Sequence, residues 1–149
     1  MGFVNDLKQW EKAEEAVAER LQEFFGKWIS KNKDKKGVDL IIDDWGLLIE
    51  VKFDRMVQDT GNYVFEFMCN EKVSGIERSY NTEEWWTTLP HYIAQSHEGW
   101  FELYHTYKLL KYVEENNDRI VKGGDGWRSS MYLIEKKQVE HLAIKKFNW

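Results

Sequence analysis

Between residues 35 and 54, two apolar runs, VDLII and LLIEVKF, flank the acidic, glycine-containing tetrapeptide DDWG. This pattern reads as a tight hairpin with residues 38–42 and 47–53 as its strands. A hairpin this apolar must bury at least one face, and an unpaired charge on a buried face is costly. Yet Asp39, Glu50 and Lys52 all lie inside the runs.

The turn fixes how these charges meet. Closure on Asp43–Gly46, or on its inner pair Asp44–Trp45, gives one register in which paired residue numbers sum to 89. Ile42 then faces Leu47, and Asp39 faces Glu50. Opposed side chains share a sheet face, with Cβ atoms roughly 4.5–5.5 Å apart, and like charges so placed repel. The conflict is relieved if one acid is protonated or a cation sits between them. Hard divalent ions such as Mg²⁺ favour such oxygen ligands and keep several waters. Lys52, two residues beyond Glu50, points to the same face. An ammonium there can orient an attacking water or stabilise charge on a phosphate.

The preceding segment, from Asn5 to about Trp28, reads as one amphipathic helix. Leu7, Trp10, Val17, Leu21, Phe24 and Trp28 recur at helical spacing. The stripe expects an apolar residue near position 14, where Glu14 stands instead. A small shift of helix phase would favour Glu15. A glutamate in that stripe points toward the sheet that the helix covers. The four misplaced charges thus converge on metal-assisted hydrolysis of a phosphodiester. The competing reading is plain: Asp39 starts a strand at its solvated end, and Glu50 and Lys52 form the exposed face of an edge strand.

Further along, SKNKDKKG (residues 30–37) reads as a charged loop. Its lysines Lys31, Lys33, Lys35 and Lys36 are candidates for nonspecific phosphate contacts. GNYVFEFMCN reads as a third strand, with Glu66 among its phenylalanines. EEWWTTLPHYIA holds a further strand interrupted by Pro90. Trp100–Glu115 reads as a second helix, and a short strand is expected near Met131–Ile134. Trp85, Trp86, Trp100 and Trp127 can stack unpaired bases, although core packing is the commoner fate of tryptophan.

With 149 residues, 42% hydrophobic and 15% aromatic, one domain with a real core is expected, not disorder. No apolar run approaches a membrane span, and no charged-then-apolar leader pattern opens the sequence. The single cysteine, Cys69, excludes an intrachain disulfide and fits a reducing cytoplasm. The four histidines show no zinc-ligand spacing. A net charge of −5 argues against a passive nucleic-acid binder, but not against an acidic site that holds cations.

VDLIIDDWGLLIEVK, preceded by a helix containing AEEAVAERL, resembles the PD-(D/E)XK nuclease superfamily, in particular archaeal Holliday-junction resolvases and small nucleases encoded by phages and viruses. The likeness covers roughly residues 10–79, with Val38 in place of the signature proline. It implies an α/β fold with a restriction-endonuclease-like core, a central mixed sheet flanked by helices. It implies Mg²⁺ or Mn²⁺ held by Asp39, Glu50 and the Val51 carbonyl, with Lys52 and Glu14 completing the catalytic set. DNA is the implied partner, and hydrolysis would leave a 5′-phosphate. The resolvase likeness favours branched DNA and a two-fold homodimer. The alternative is a module that keeps the fold and binds nucleic acid or protein without cutting.

Overall fold

Helix α1 (Phe3–Phe25) turns Ala13, Val17 and Leu21 inward, and all three are fully buried. The four-residue spacing of this stripe aligns it along one side of the helix. The helix stops at Gly26, whose φ of +64° suits a residue without a Cβ and whose N–H bonds back to the Gln22 carbonyl at 2.9 Å. Trp10, Phe24 and Trp28, expected on the apolar side, are instead among the most exposed large side chains.

The structure is a computed structural model that describes residues 3–32, 39–54, 57–69, 72–73, 90–116, 119–123 and 129–149. The chain divides into two units: one of Met1–Arg55, Pro90–His105 and Ala143–Trp149, the other of Met56–Leu89 and Thr106–Leu142.

In the first unit, β1 (Ile29–Lys31), β2 (Leu40–Ile42) and β3 (Leu47–Phe53) form an antiparallel run. The β2–β3 pairs are Leu40–Ile49, Ile41–Leu48 and Ile42–Leu47, so every sum is 89. The turn sets that register, because the Trp45 and Gly46 N–H groups both reach the Ile42 carbonyl and Gly46 takes φ +66°. After the chain returns, β6 (Tyr92–His97) pairs with β3 in parallel. The antiparallel strands β7 (Trp100–His105) and β10 (Ala143–Asn148) complete the order β1-β2-β3-β6-β7-β10. The fold is therefore α/β, with a mixed sheet. Helix α1 packs over β1, β3 and β6, and its stripe joins Leu40, Ile42, Ile49, Val51, Phe101, Leu103 and Phe147 in one core. Truncating a residue such as Leu21 to alanine there would cost about 2–5 kcal/mol.

The second unit is an antiparallel sheet of order β5-β4-β9-β8, built from β4 (Asn62–Cys69), β5 (Lys72–Val73), β8 (Arg119–Gly123) and β9 (Ser129–Glu135). Its longer helix, Thr106–Asn116, buries Leu109, Leu110 and Val113 and packs on β9.

Two expectations change, and the expected third strand finds its partners elsewhere. The segment expected as one helix from Trp100 is a strand as far as His105 and a helix only from Thr106. Phe101 to Tyr104 are all buried within the sheet, and a strand buried on both faces shows no alternation by which a periodicity count could tell it from a helix. The loop expected from Ser30 begins later, because Ile29–Lys31 pairs with β2. The strand carrying Glu66 pairs with β5 and β9 of the second unit and not with the hairpin. Among the described residues, no helix is long and apolar enough to cross a membrane.

Candidate active site

The site lies where β2 begins. Asp39 is the next residue outward from the Leu40–Ile49 pair, and its N–H bonds to the Ile49 carbonyl at 3.2 Å. The paired register ends at Leu40–Ile49, and beyond it Asp39 lies close enough to Glu50 for its charge to raise the Glu50 carboxyl. Asp39 Oδ2 accepts the Val51 N–H at 2.7 Å, so the carboxylate is anchored to the strand it faces. Val51 turns its side chain into the core, where it is fully buried. By alternation Glu50 and Lys52 occupy the other face. Lys52 Nζ stands 3.5 Å from Glu50 Oε1.

Helix α1 supplies the third acid. Glu14 follows the buried Ala13 and is half-buried, whereas Glu15 is exposed. The Glu14 carboxyl lies near enough to Asp39 and to the Trp10 indole for each of them to shift its titration. Glu14, and not Glu15, is therefore the helix carboxylate that meets the hairpin.

All three carboxyl groups are pushed above their ordinary pKa range. For Glu14 the main cause is burial, followed by the Asp39 charge, while Lys31 opposes the shift. For Asp39 burial again leads, opposed by the Val51 N–H, Glu14 and Lys52. For Glu50 burial leads and Asp39 adds to it, against Lys52. Lost hydration and mutual repulsion both disfavour the charged forms, and one ammonium does not offset them. Gathering three half-buried acids in one place raises the cost of charging each of them, and a bound cation would lower it.

The donor set suits a hard divalent cation, which needs only one or two carboxylates and otherwise keeps its waters. Asp39, Glu50 and the Val51 carbonyl are the groups that would hold it. Among the described residues, no three His, Cys, Asp or Glu side chains already form a closed cage.

Of the candidate phosphate-binding lysines, Lys31 ends β1 and lines a cleft of about 260 Å³ with Glu14, Glu15, Glu19 and Gln22. Lys33, Lys35 and Lys36 lie outside the described residues, as do Trp85, Trp86 and Trp127. Trp100 stacks on His97 with ring centroids 4.0 Å apart and carries Lys146 Nζ 4.4 Å above its ring. Glu66 accepts a hydrogen bond from Ser129 in the second unit.

The sheet also brings up residues that the sequence did not single out. Gln95 on β6 is the register partner of Lys52, and Glu102 on β7 is the partner of Gln95. Each is only 3% exposed. Two buried polar side chains on central strands are the available signal, but their neighbours are set by a parallel pairing distant in sequence. Comparison with known proteins finds no matching family model, no matching curated protein and no matching solved structure.

Proposed function

We propose that this chain is a divalent-metal-dependent nuclease that hydrolyses DNA phosphodiester bonds. One observation carries the reading: Asp39, Glu50 and Lys52 gather on the hairpin, with Lys52 3.5 Å from Glu50, and Glu14 of the helix is close enough to feel the Asp39 charge. The topology supports it. A mixed sheet with helix α1 packed over it agrees with the mixed, helix-flanked sheet that the resemblance to the PD-(D/E)XK nucleases implies. That resemblance extends the proposal to a restriction-endonuclease-like core, endonucleolytic action and branched DNA.

Asp39 and Glu50 would hold Mg²⁺ or Mn²⁺ with the Val51 carbonyl. Such an ion supplies Lewis-acid polarisation of a phosphoryl oxygen and acidifies water. The chain's own groups do the rest. Asp39 is kept in place by the Val51 N–H. Glu14, whose carboxyl is pushed up chiefly by burial and next by the Asp39 charge, would be easier to ionise beside a bound cation. Lys52, held beside Glu50, directs its ammonium at the phosphate and stabilises the charge that builds there. Water adds at phosphorus as the P–O3′ bond breaks, leaving a 5′-phosphate and a 3′-hydroxyl.

The test is a nicking assay on plasmid and on four-way-junction DNA, in Mg²⁺ and in EDTA. Cleavage is expected only with the ion, and Glu50→Ala is expected to abolish it. Cleavage that survives chelation or survives Glu50→Ala removes the metal mechanism. Retained DNA binding with no cleavage at all favours the non-cutting module.

A further inference from the structure

We propose that Gln95 is a substrate-binding residue, whose side-chain amide donates a hydrogen bond to the phosphate group held beside Lys52. This inference rests on the nuclease reading and names a further residue of the same site.

Four observations lead to it. Gln95 is 3% exposed, and its Nε2 is buried without a hydrogen-bond partner among the described residues. Buried polar groups are nearly always paired, so an unpartnered one calls for an explanation. Gln95 is the register partner of Lys52 on the adjacent parallel strand, and paired residues on neighbouring strands stand about 4.8 Å apart and share a face. The unpartnered amide is therefore on the face that carries Glu50 and Lys52. Its other strand neighbour, Glu102, is engaged by the Tyr104 hydroxyl, which donates to Oε2 at 3.3 Å.

The chemistry explains why glutamine suits the position. A phosphate entering this site meets three carboxylates and one ammonium. An amide adds a donor without adding charge, next to a lysine that already balances Glu50. A hydrogen bond to a charged acceptor is roughly twice as strong as one between neutral groups. Whichever way round the amide is set, the end facing the phosphate in the complex would be its NH₂. In the free protein the donor is held ready and bonds nothing among the described residues, so its partner arrives with the substrate.

The sign of a stability change separates this role from a structural one. Gln95→Met keeps the volume and removes the amide. If the amide bonds nothing in the free protein, the DNA-free melting temperature in EDTA should hold steady or rise by about 2–4 °C. In the same variant, the Kd for four-way-junction DNA in Ca²⁺, or kcat/KM in Mg²⁺, should worsen roughly 10- to 100-fold. Gln95→Glu, of the same shape but acceptor-only when ionised, should worsen it further. Unchanged Kd and kcat/KM in Gln95→Met overturn the proposal. A fall in melting temperature also overturns it, with or without lost activity, because the amide would then already be bonded, to a buried water or to a neighbour. The two readings fail separately. Wild-type cleavage equalled by Gln95→Met removes the role of Gln95 and leaves the nuclease. Gln95-dependent DNA binding by a wild type that never cuts removes the nuclease and leaves Gln95. If the wild type neither binds nor cuts, both fall.

Discussion

The two sheets treat their carboxylates differently. In the second unit, Glu66 sits opposite Met131 and accepts the Ser129 hydroxyl, while Lys122 donates to Ser130 across the next strand pair at 2.8 Å. Each charge there has a neutral or donating neighbour. In the first unit, Asp39 and Glu50 lie close enough to repel, and Glu14 joins them from the helix. Among the described residues, Lys52 and Lys31 counter the three acids. A sheet can evidently satisfy a half-buried acid with a serine. Where it opposes acids instead, the local conflict points to a ligand that resolves it, as expected of functional sites.

The sharpest way to break this contrast is to remove acids from each sheet. Glu50→Ala should lower Mg²⁺-dependent cleavage on the order of 10³-fold, and Glu66→Gln should leave it unchanged. Equal losses from the two would mean that the clash in the first sheet is incidental. Asp39→Asn keeps an acceptor for the Val51 N–H and removes the repulsion. In EDTA it should stabilise the protein by up to about 1 kcal/mol, measured by urea denaturation. Next in size, Lys52→Met should lower kcat about 10²-fold with a smaller change in metal affinity. Isothermal titration with Mn²⁺ in place of Mg²⁺ would measure that affinity.

Much of the contrast was legible in the sequence. The turn DDWG allows one register, and the pairs from Ile42–Leu47 to Leu40–Ile49 follow from counting. Glu14 was visible as a charge in an apolar stripe, but its rank over Glu15 depended on helix phase. That phase is set by Ala13, Val17 and Leu21 and not by the large aromatics, since Trp10 and Phe24 are more than 40% exposed. The division into two sheets was not legible. Strand β4 follows the hairpin closely, yet the neighbour of β3 is β6, which begins at Tyr92. Local patterning reports which face of a segment is apolar; it does not report which distant strand will lie beside it. For the same reason Gln95 could not be placed beside Lys52, and the buried strand from Trp100 passed for a helix.

Proton linkage sharpens the comparison further. Glu14, Asp39 and Glu50 all have raised pKa values in the folded, metal-free chain, chiefly through burial. Above the ordinary values of 3.8 for Asp39 and 4.5 for the two glutamates, the unfolded chain has released protons that the folded chain still holds. Stability from these groups is therefore complete below that range and fades as pH climbs through the raised folded values. In EDTA, the melting temperature of the wild type should fall relative to Asp39→Asn over that interval. Saturating Mg²⁺ should flatten the difference, because the ion replaces the proton. A wild-type curve that rises relative to the variant would mean that the cluster is already satisfied as charged groups.

The smallest effect comes from the other sheet and serves as the control. Ser129→Ala removes the hydroxyl that Glu66 accepts, on a strand where Ser129 is 8% exposed. Losing one such bond should cost about 1 kcal/mol, which is a melting shift of about 2–4 °C for a chain of this size. Cleavage at a temperature well below melting should not change. Asp39→Asn and Ser129→Ala then move in opposite directions: one gains stability and loses activity, the other loses stability and keeps activity. That crossed pattern is what separates a carboxylate pair held for a ligand from a carboxylate held for the fold. If Ser129→Ala also lost cleavage in proportion to its lost stability, activity would be tracking the folded fraction, and the contrast between the sheets would say nothing about chemistry.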